Sequence, residues 1–135
     1  MPAQQNKATV RRLFEEVWNK NDLDVAKDII HDDYRSDENI TFASKRGLEV
    51  LAADIEFYRE MYSDLTFAIE QMFTEGDTVV TVWRATGVAT NEFFTDRSGK
   101  ERNRELKAEG VSLSRIADGK LIENNLYWPR HPLHP

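Results

Sequence analysis

The polar side chains best spaced for chemistry lie on the last strand that the sequence predicts. Asp118-Gly119 is a tight-turn signal, and the residues after it alternate as those of a strand do. Alternation puts Glu123, Asn125 and Tyr127 on one face. If this face lines a pocket, Asn125 and Tyr127 could hold a carbonyl or hydroxyl group of a ligand, whereas a salt bridge is the simpler role for Glu123. The structural alternative is a core tyrosine with a satisfied hydroxyl and an asparagine that meets water.

Other kinds of catalytic site have no support in the sequence. The chain contains no cysteine, which excludes disulfides, thiolate metal ligands and thiol nucleophiles. Its three histidines lack the spacing of metal ligands, so no metal is expected. There is no nucleophile motif of the Gly-x-Ser-x-Gly type, no phosphate-binding glycine loop and no dinucleotide fingerprint. The sequence therefore gives no motif for a covalent nucleophile, a bound phosphate group or a dinucleotide cofactor.

Size and charge narrow the class of protein. A chain of 135 residues suits a single domain over residues 1–135 with one core and one pocket. Its formal net charge of −6 disfavours a nucleic-acid partner, which requires a basic surface. No apolar run has the length of a signal peptide or a membrane span, so no membrane partner is expected. We therefore expect a soluble cytoplasmic protein.

The first half of the chain is predicted to be helical. Apolar residues at positions i, i+3, i+4, i+7 and i+8 mark one face of a first helix. These residues are Val10, Leu13, Phe14, Val17 and Trp18. Asn21 or Asp22 could cap a second helix, which fades after Ile30. Residues 34–46 look polar and irregular, and a third helix is expected after Gly47, with Leu51 and Ile55 facing inward.

The second half is predicted to form antiparallel strands. Apolar and polar residues alternate from Leu65 to Glu70, and a β-branched run extends from Thr78 to Thr86. Gly87 and Gly110 suggest bends in a curved sheet. Helices followed by antiparallel strands are typical of an α+β fold, and a strongly bent sheet with helices on its concave side encloses an interior.

Several short segments resemble SnoaL-like polyketide cyclases, a branch of the NTF2-like superfamily. Their order and spacing match over nearly the whole chain. They are Asn6-Lys7, Gly47, Tyr62-Ser63-Asp64-Leu65, Glu75-Gly76-Asp77, Glu92-Phe93-Phe94 and Asp118-Gly119-Lys120-Leu121-Ile122-Glu123. The resemblance implies a cone-shaped α+β barrel, with N-terminal helices packed on a strongly curved, mostly antiparallel sheet. It also implies a homodimer that pairs through the sheet.

The resemblance also shows where this chain departs from the family pattern. The family's catalytic Asp corresponds to Pro129, which cannot titrate, and its Trp corresponds to Asn125. The best replacement carboxylate is Asp37, three residues after Tyr34, where relatives often have His. Glu92 is a second candidate.

The resemblance further implies that some side chains line the cavity. The substrate-binding candidates are Tyr34, Trp83, Phe93, Asn125 and Tyr127.

Three functions remain open at this point. The first is a cofactor-independent enzyme for aldol-type cyclisation or isomerisation of an apolar carbonyl compound, with Asp37 as base. The second is a module that binds an apolar small ligand without changing it. The third is a hydratase or epoxide-opening enzyme, which would require Asp37 and Arg84 to meet.

Overall fold

The helices form where the apolar spacing predicts them. The computed structural model describes residues 2–36, 46–90 and 105–128. Helix α1 (Pro2–Arg12) continues into a π-helical segment (Leu13–Trp18), followed by α2 (Leu23–Ile29) and α3 (Leu48–Met61). The Asp22 side chain accepts hydrogen bonds from the backbone N–H groups of Asp24 and Val25, so Asp22 is the N-cap of α2.

One curved sheet of five strands lies in the described part of the chain. The strands are β1 (Ile30–Arg35), β2 (Tyr62–Glu75), β3 (Thr78–Ala89), β4 (Glu105–Ala117) and β5 (Lys120–Tyr127). Their order is β1-β5-β4-β3-β2. The β2–β3, β3–β4 and β4–β5 pairs are antiparallel, and β1 runs parallel to β5. The predicted α+β class is confirmed.

Register shifts give the sheet its bends. β2 carries one extra residue against β3 between Ser63 and Thr66 and a second between Ile69 and Gln71. β5 carries one extra residue, Ile122, because Arg115 pairs with Glu123 and Ile116 with Leu121. Such bulges bend the strand and increase its twist.

The core lies between the helices and the inner face of the sheet. All five residues predicted to form the inner face of the first helix are buried. They pack with inward-facing residues of the sheet and of α3, which include Ile55, Phe67, Val79, Trp83, Leu106 and Leu121.

Two expectations about the elements were wrong. Residues 30–35 form β1, although His31, Asp32 and Asp33 suggested a fading helix and a loop. Apolar and polar residues alternate little in this six-residue strand. Its parallel pairing with β5, which is not a local property of the sequence, makes it a strand.

The second error concerns the two faces of β5. The bulge at Ile122 shifts the alternation by one residue, so that Asn124 and Leu126 are buried and Tyr127 is exposed. The resemblance to the family, whose Asp at the position of Pro129 faces the cavity, had implied that Asn125 and Tyr127 lie inside.

Candidate functional site

A small cavity between the helices and the sheet brings polar side chains together. It is lined by Trp18, Tyr34, Ser36, Asp54, Asn124 and Leu126. The centre of a water-sized sphere can occupy about 10 Å³ in this cavity, which is close to the minimum for one water molecule. The lining residues come from the π-helical segment, β1, α3 and β5, so only the tertiary fold assembles this site.

Asp54 supplies a carboxylate to this cavity from the buried face of α3. The buried residues of this helix are Val50, Leu51, Asp54 and Ile55, and Asp54 is only 5% exposed. The Ser36 hydroxyl donates a hydrogen bond of 2.6 Å to Asp54 Oδ2. A buried carboxyl group requires such partners, because burying a polar group without a hydrogen bond is costly.

The start of α3 is held close to β1. The Gly47 N–H donates to the Tyr34 carbonyl at 2.9 Å, and Gly47 has φ +74°. A Cβ atom at this position would lie 2.8 Å from the Asp32 carbonyl oxygen. Glycine therefore permits the close approach that brings Asp54 and Ser36 together.

Asn124 supplies an amide from the sheet. Ser114 Oγ donates to Asn124 Oδ1 at 2.7 Å, and both side chains are buried. The two residues are directly paired across β4 and β5. Because the Ile122 bulge precedes Asn124, this side chain faces the interior where simple alternation would point it outward.

Aromatic rings form an interior cluster that continues from Trp18. Tyr58 and Trp128 are stacked, with ring centroids 5.5 Å apart. Trp83 lies 4.8 Å from Trp128, and Phe67 lies 5.4 Å from Trp18, both edge to face. The cavity thus has polar groups on one side and an aromatic cluster beside it.

Several buried polar atoms in the described ranges have no hydrogen-bond partner. They are Trp18 Nε1, Thr81 Oγ1, Trp83 Nε1, Ser112 Oγ and Trp128 Nε1. Few buried polar groups in native proteins lack a partner, so these five atoms depart from the usual pattern. Trp18 is the one among them that lines the Asp54 cavity.

The predicted site residues fall into three groups. Tyr34 lines the cavity, and Trp83 is fully buried in the aromatic cluster. Asn125 and Tyr127 lie on the outer face of β5, so their predicted inward orientation was wrong. The predictions for Asp37, Glu92, Phe93 and Pro129 concern positions outside the described residues.

Asp54 and Asn124 were not among the predicted site residues. Asp54 could have been found as a carboxylate within an apolar helical face, three residues after Leu51 and one before Ile55. Asn124 had no signal, because its orientation depends on the bulge at Ile122.

Apart from Asp54 and Tyr34, no ionisable side chain of the described residues lines this cavity. Arg84 lies on the outer face of β3 and forms ion pairs with Glu70 at 3.0 Å and Glu109 at 3.6 Å. This position gives no support to a site that needs Arg84 in the interior. Burial raises the pKa of the Tyr62 hydroxyl, which therefore stays protonated at neutral pH.

Two further properties bear on the kind of site. Among the residues that the structure covers, no group of His, Cys, Asp or Glu side chains could hold a metal ion. Within the same ranges, no helix is long and apolar enough to cross a membrane.

The curved, mostly antiparallel sheet with helices packed against it defines an α+β fold, and solved structures of NTF2-like and SnoaL-like proteins share this fold. A candidate SnoaL-like polyketide cyclase from Jannaschia sp. CCS1 is 26% identical, with a TM-score of 0.73 over 97% of this chain and 92% of that one. IdmH, a candidate polyketide cyclase from Streptomyces antibioticus, is 20% identical, with a TM-score of 0.74 over 96% and 95%. AclR, a candidate hydroxylase from Streptomyces galilaeus, is 20% identical, with a TM-score of 0.68 over 97% and 79%.

The family assignment rests on the sequence match as well. The sequence model of the SnoaL-like polyketide cyclase family matches residues 8–133. The chain therefore belongs to the SnoaL-like polyketide cyclase family. No protein of the curated set matches the chain at a significant level.

Proposed function

We propose that this protein is a cofactor-independent enzyme that performs acid–base chemistry on an apolar carbonyl compound, with Asp54 as the general acid/base. The observation that carries the proposal is a buried carboxylate in a cavity that also contains hydrogen-bond donors. A carboxylate can move a proton when it lies within hydrogen-bond reach of the reacting group. Aldol-type cyclisation and isomerisation both pass through an enol or enolate, whose formation requires such a proton transfer.

The surroundings of Asp54 support the same chemistry. The cavity contains the side chains of Trp18 and Asn124, and each can donate an N–H hydrogen bond. Fixed donors beside an oxygen that gains negative charge stabilise the transition state of enolisation. A cavity lined only by aliphatic and aromatic groups would instead have favoured simple binding of an apolar ligand.

Exchange of the α-protons of 2-tetralone in D₂O tests this activity, because exchange requires enolisation of an apolar ketone. We expect the wild-type protein to exceed the buffer rate. The Asp54→Asn variant should lose about 100-fold or more of that rate, the usual contribution of a positioned acid/base. Glu56→Gln is the matched control, since Glu56 is an exposed carboxylate on the same helix. Loss of α-proton signals by NMR measures both rates.

The same exchange assay applies to variants of two other carboxylates. Asp37→Asn and Glu92→Gln test the candidates that the sequence predicted and that lie outside the described residues. An unchanged rate in Asp54→Asn with a lost rate in Asp37→Asn would transfer the role to Asp37. Saturable binding of 2-tetralone by the wild type without any exchange would instead support the alternative function, a module that binds an apolar ligand unchanged.

A further inference from the structure

A groove on the outer face of the sheet brings three arginines together. The centre of a water-sized sphere can occupy about 290 Å³ in it, which is room for a small organic molecule. Strands β1, β4 and β5 and the residue before Gly47 supply its lining, which consists of Asp33, Arg35, Arg46, Arg115, Ile122 and Glu123. The groove thus combines five charged side chains with one aliphatic side chain.

The groove is separate from the Asp54 cavity, because the two lie on opposite faces of β1 and β5. On β1, Tyr34 is buried and lines the cavity, whereas the residues on either side of it are exposed and line the groove. On β5, the bulge places Ile122 and Glu123 together between two buried residues, so both side chains reach the groove. The lining of the groove therefore shares no residue with that of the cavity.

Two of the three arginines already have carboxylate partners. Arg115 Nε lies 3.0 Å from Glu123 Oε1, and Arg46 Nη1 lies 4.0 Å from Asp33 Oδ1, at the outer limit of an ion pair. Arg35 is directly paired with Glu123 in the sheet, but it forms no ion pair with any residue that the structure describes. Three guanidinium groups against two carboxylates leave one excess positive charge, in a chain whose formal net charge is −6.

This excess charge indicates which kind of ligand fits. The planar guanidinium group of an arginine can donate two parallel N–H hydrogen bonds to a carboxylate. One excess positive charge balances one negative charge, whereas a second negative charge on the ligand would be repelled by the two carboxylates of the groove. Ile122 and the aliphatic stems of the arginines offer apolar surface beside the free guanidinium group.

We propose that the groove is a binding site for a small monocarboxylate, whose carboxylate group is held by Arg35 and whose apolar part lies against Ile122. Because no residue of the groove lines the Asp54 cavity, this inference does not depend on the proposed acid–base activity. The site is open to solvent, where water and salt screen charges, so we expect binding to be weak and to decrease as the salt concentration rises.

Benzoate and benzamide test the site, because they share a ring and differ in the charge of the group attached to it. Two-dimensional ¹H–¹⁵N NMR at low ionic strength, where exposed charges are least screened, follows the amide signals of Arg35, Ile122 and Glu123. We expect millimolar benzoate to shift these signals saturably and benzamide to leave them in place. No saturable shift with benzoate, or an equal shift with benzamide, would overturn the site.

Arg35→Gln removes the free guanidinium group. Benzoate binding should become weaker by about 10-fold or more, because hydrogen bonds between charged groups are stronger than those between neutral groups. Arg84→Gln is the matched control and should bind benzoate like the wild type, since Arg84 is also an exposed arginine of the outer face but does not line this groove. Unchanged binding in Arg35→Gln, or an equal loss in Arg84→Gln, would overturn the role of Arg35.

Glu123→Gln tests the charge balance in the opposite direction. The substitution frees Arg115 from its ion pair and increases the excess positive charge, so benzoate should bind more tightly than to the wild type. The Glu123 side chain is 38% exposed, and glutamine has the same shape, so the fold is expected to be retained. Unchanged or weaker binding would contradict a site that is governed by this charge balance.

Phenyl phosphate tests the preference for a monoanion, because it carries nearly two negative charges at neutral pH. We expect it to shift the same amide signals with a lower affinity than benzoate. Tighter binding of phenyl phosphate would contradict the assignment of the groove to monocarboxylates.

Discussion

At the residue scale, the role of a polar side chain depends on its partner more than on its type. Ser112 and Ser114 are both fully buried on the inner face of β4, two residues apart. Ser114 donates to Asn124, whereas Ser112 Oγ has no partner in the described part of the chain. Two serines that the sequence cannot distinguish therefore differ in what they contribute to stability.

Replacing each serine by alanine should show this difference. Ser114→Ala leaves Asn124 Oδ1 without its donor, and we expect a loss of about 1–3 kcal/mol in the free energy of unfolding. Ser112→Ala removes a hydroxyl that lacks a partner, so it is the matched control and should be neutral or slightly stabilising. Urea unfolding of the two variants measures both effects. Equal losses in the two variants would contradict this interpretation.

At the element scale, single-residue irregularities decide what the strands present to the interior. The bulge at Ile122 turns Asn124 inward, and Gly110 makes room for Trp83. Trp83 and Gly110 are directly paired across β3 and β4. A Cβ atom at Gly110 would lie 2.4 Å from the Trp83 ring and 2.6 Å from the Tyr127 carbonyl oxygen. The second of these atoms belongs to the backbone and cannot move without disturbing β5.

Gly110→Ala should therefore destabilise the sheet. We expect a loss of about 1–3 kcal/mol or more in the free energy of unfolding, the usual cost of forcing an extra carbon into a packed core. Glu109→Ala is the neighbouring control, because Glu109 points to the outer face and its exposed ion pair with Arg84 contributes little. Thermal or urea unfolding checks both. A Gly110→Ala variant as stable as wild type would show that Trp83 is free to shift.

At the scale of the whole molecule, the outer face of the sheet has an apolar centre between charged ends. Leu113 pairs with Val80, and Val80 pairs with Phe73, while Tyr127 pairs with Val111 in the next row. Phe73 is 54% exposed, Tyr127 49% and Leu113 38%. An ion pair between Arg84 and Glu70 lies at one end of this patch, and an ion pair between Arg115 and Glu123 lies at the other. Contiguous exposed apolar residues of this kind commonly mark an interface.

The predicted homodimer would cover this patch, and a charge at its centre tests the prediction. We expect the wild-type protein to sediment as a dimer and Leu113→Lys to shift it to a monomer, because pairing would bury an unpaired charge. Val88→Lys is the matched control, since Val88 is 40% exposed but pairs with Ser63 and Glu105 at the far end of the sheet. Analytical ultracentrifugation measures the masses. A wild-type monomer, or a Leu113→Lys dimer, would rule out this face as the interface.

The sequence by itself determined the α+β class, the inner face of the first helix and the turn at Asp118-Gly119, and it narrowed the N-cap of α2 to Asn21 or Asp22. These features depend on local spacing and on the conformational preferences of a few residues, which sequence patterns carry directly. Only the tertiary structure placed Asp54, Ser36, Asn124 and Trp18 around one cavity, because they come from α3, the residue after β1, β5 and the π-helical segment. It also decided which face of β5 is inside. One inserted residue, Ile122, reverses the alternation of every residue after it, and the pairing with β4 that creates this bulge is not a local property.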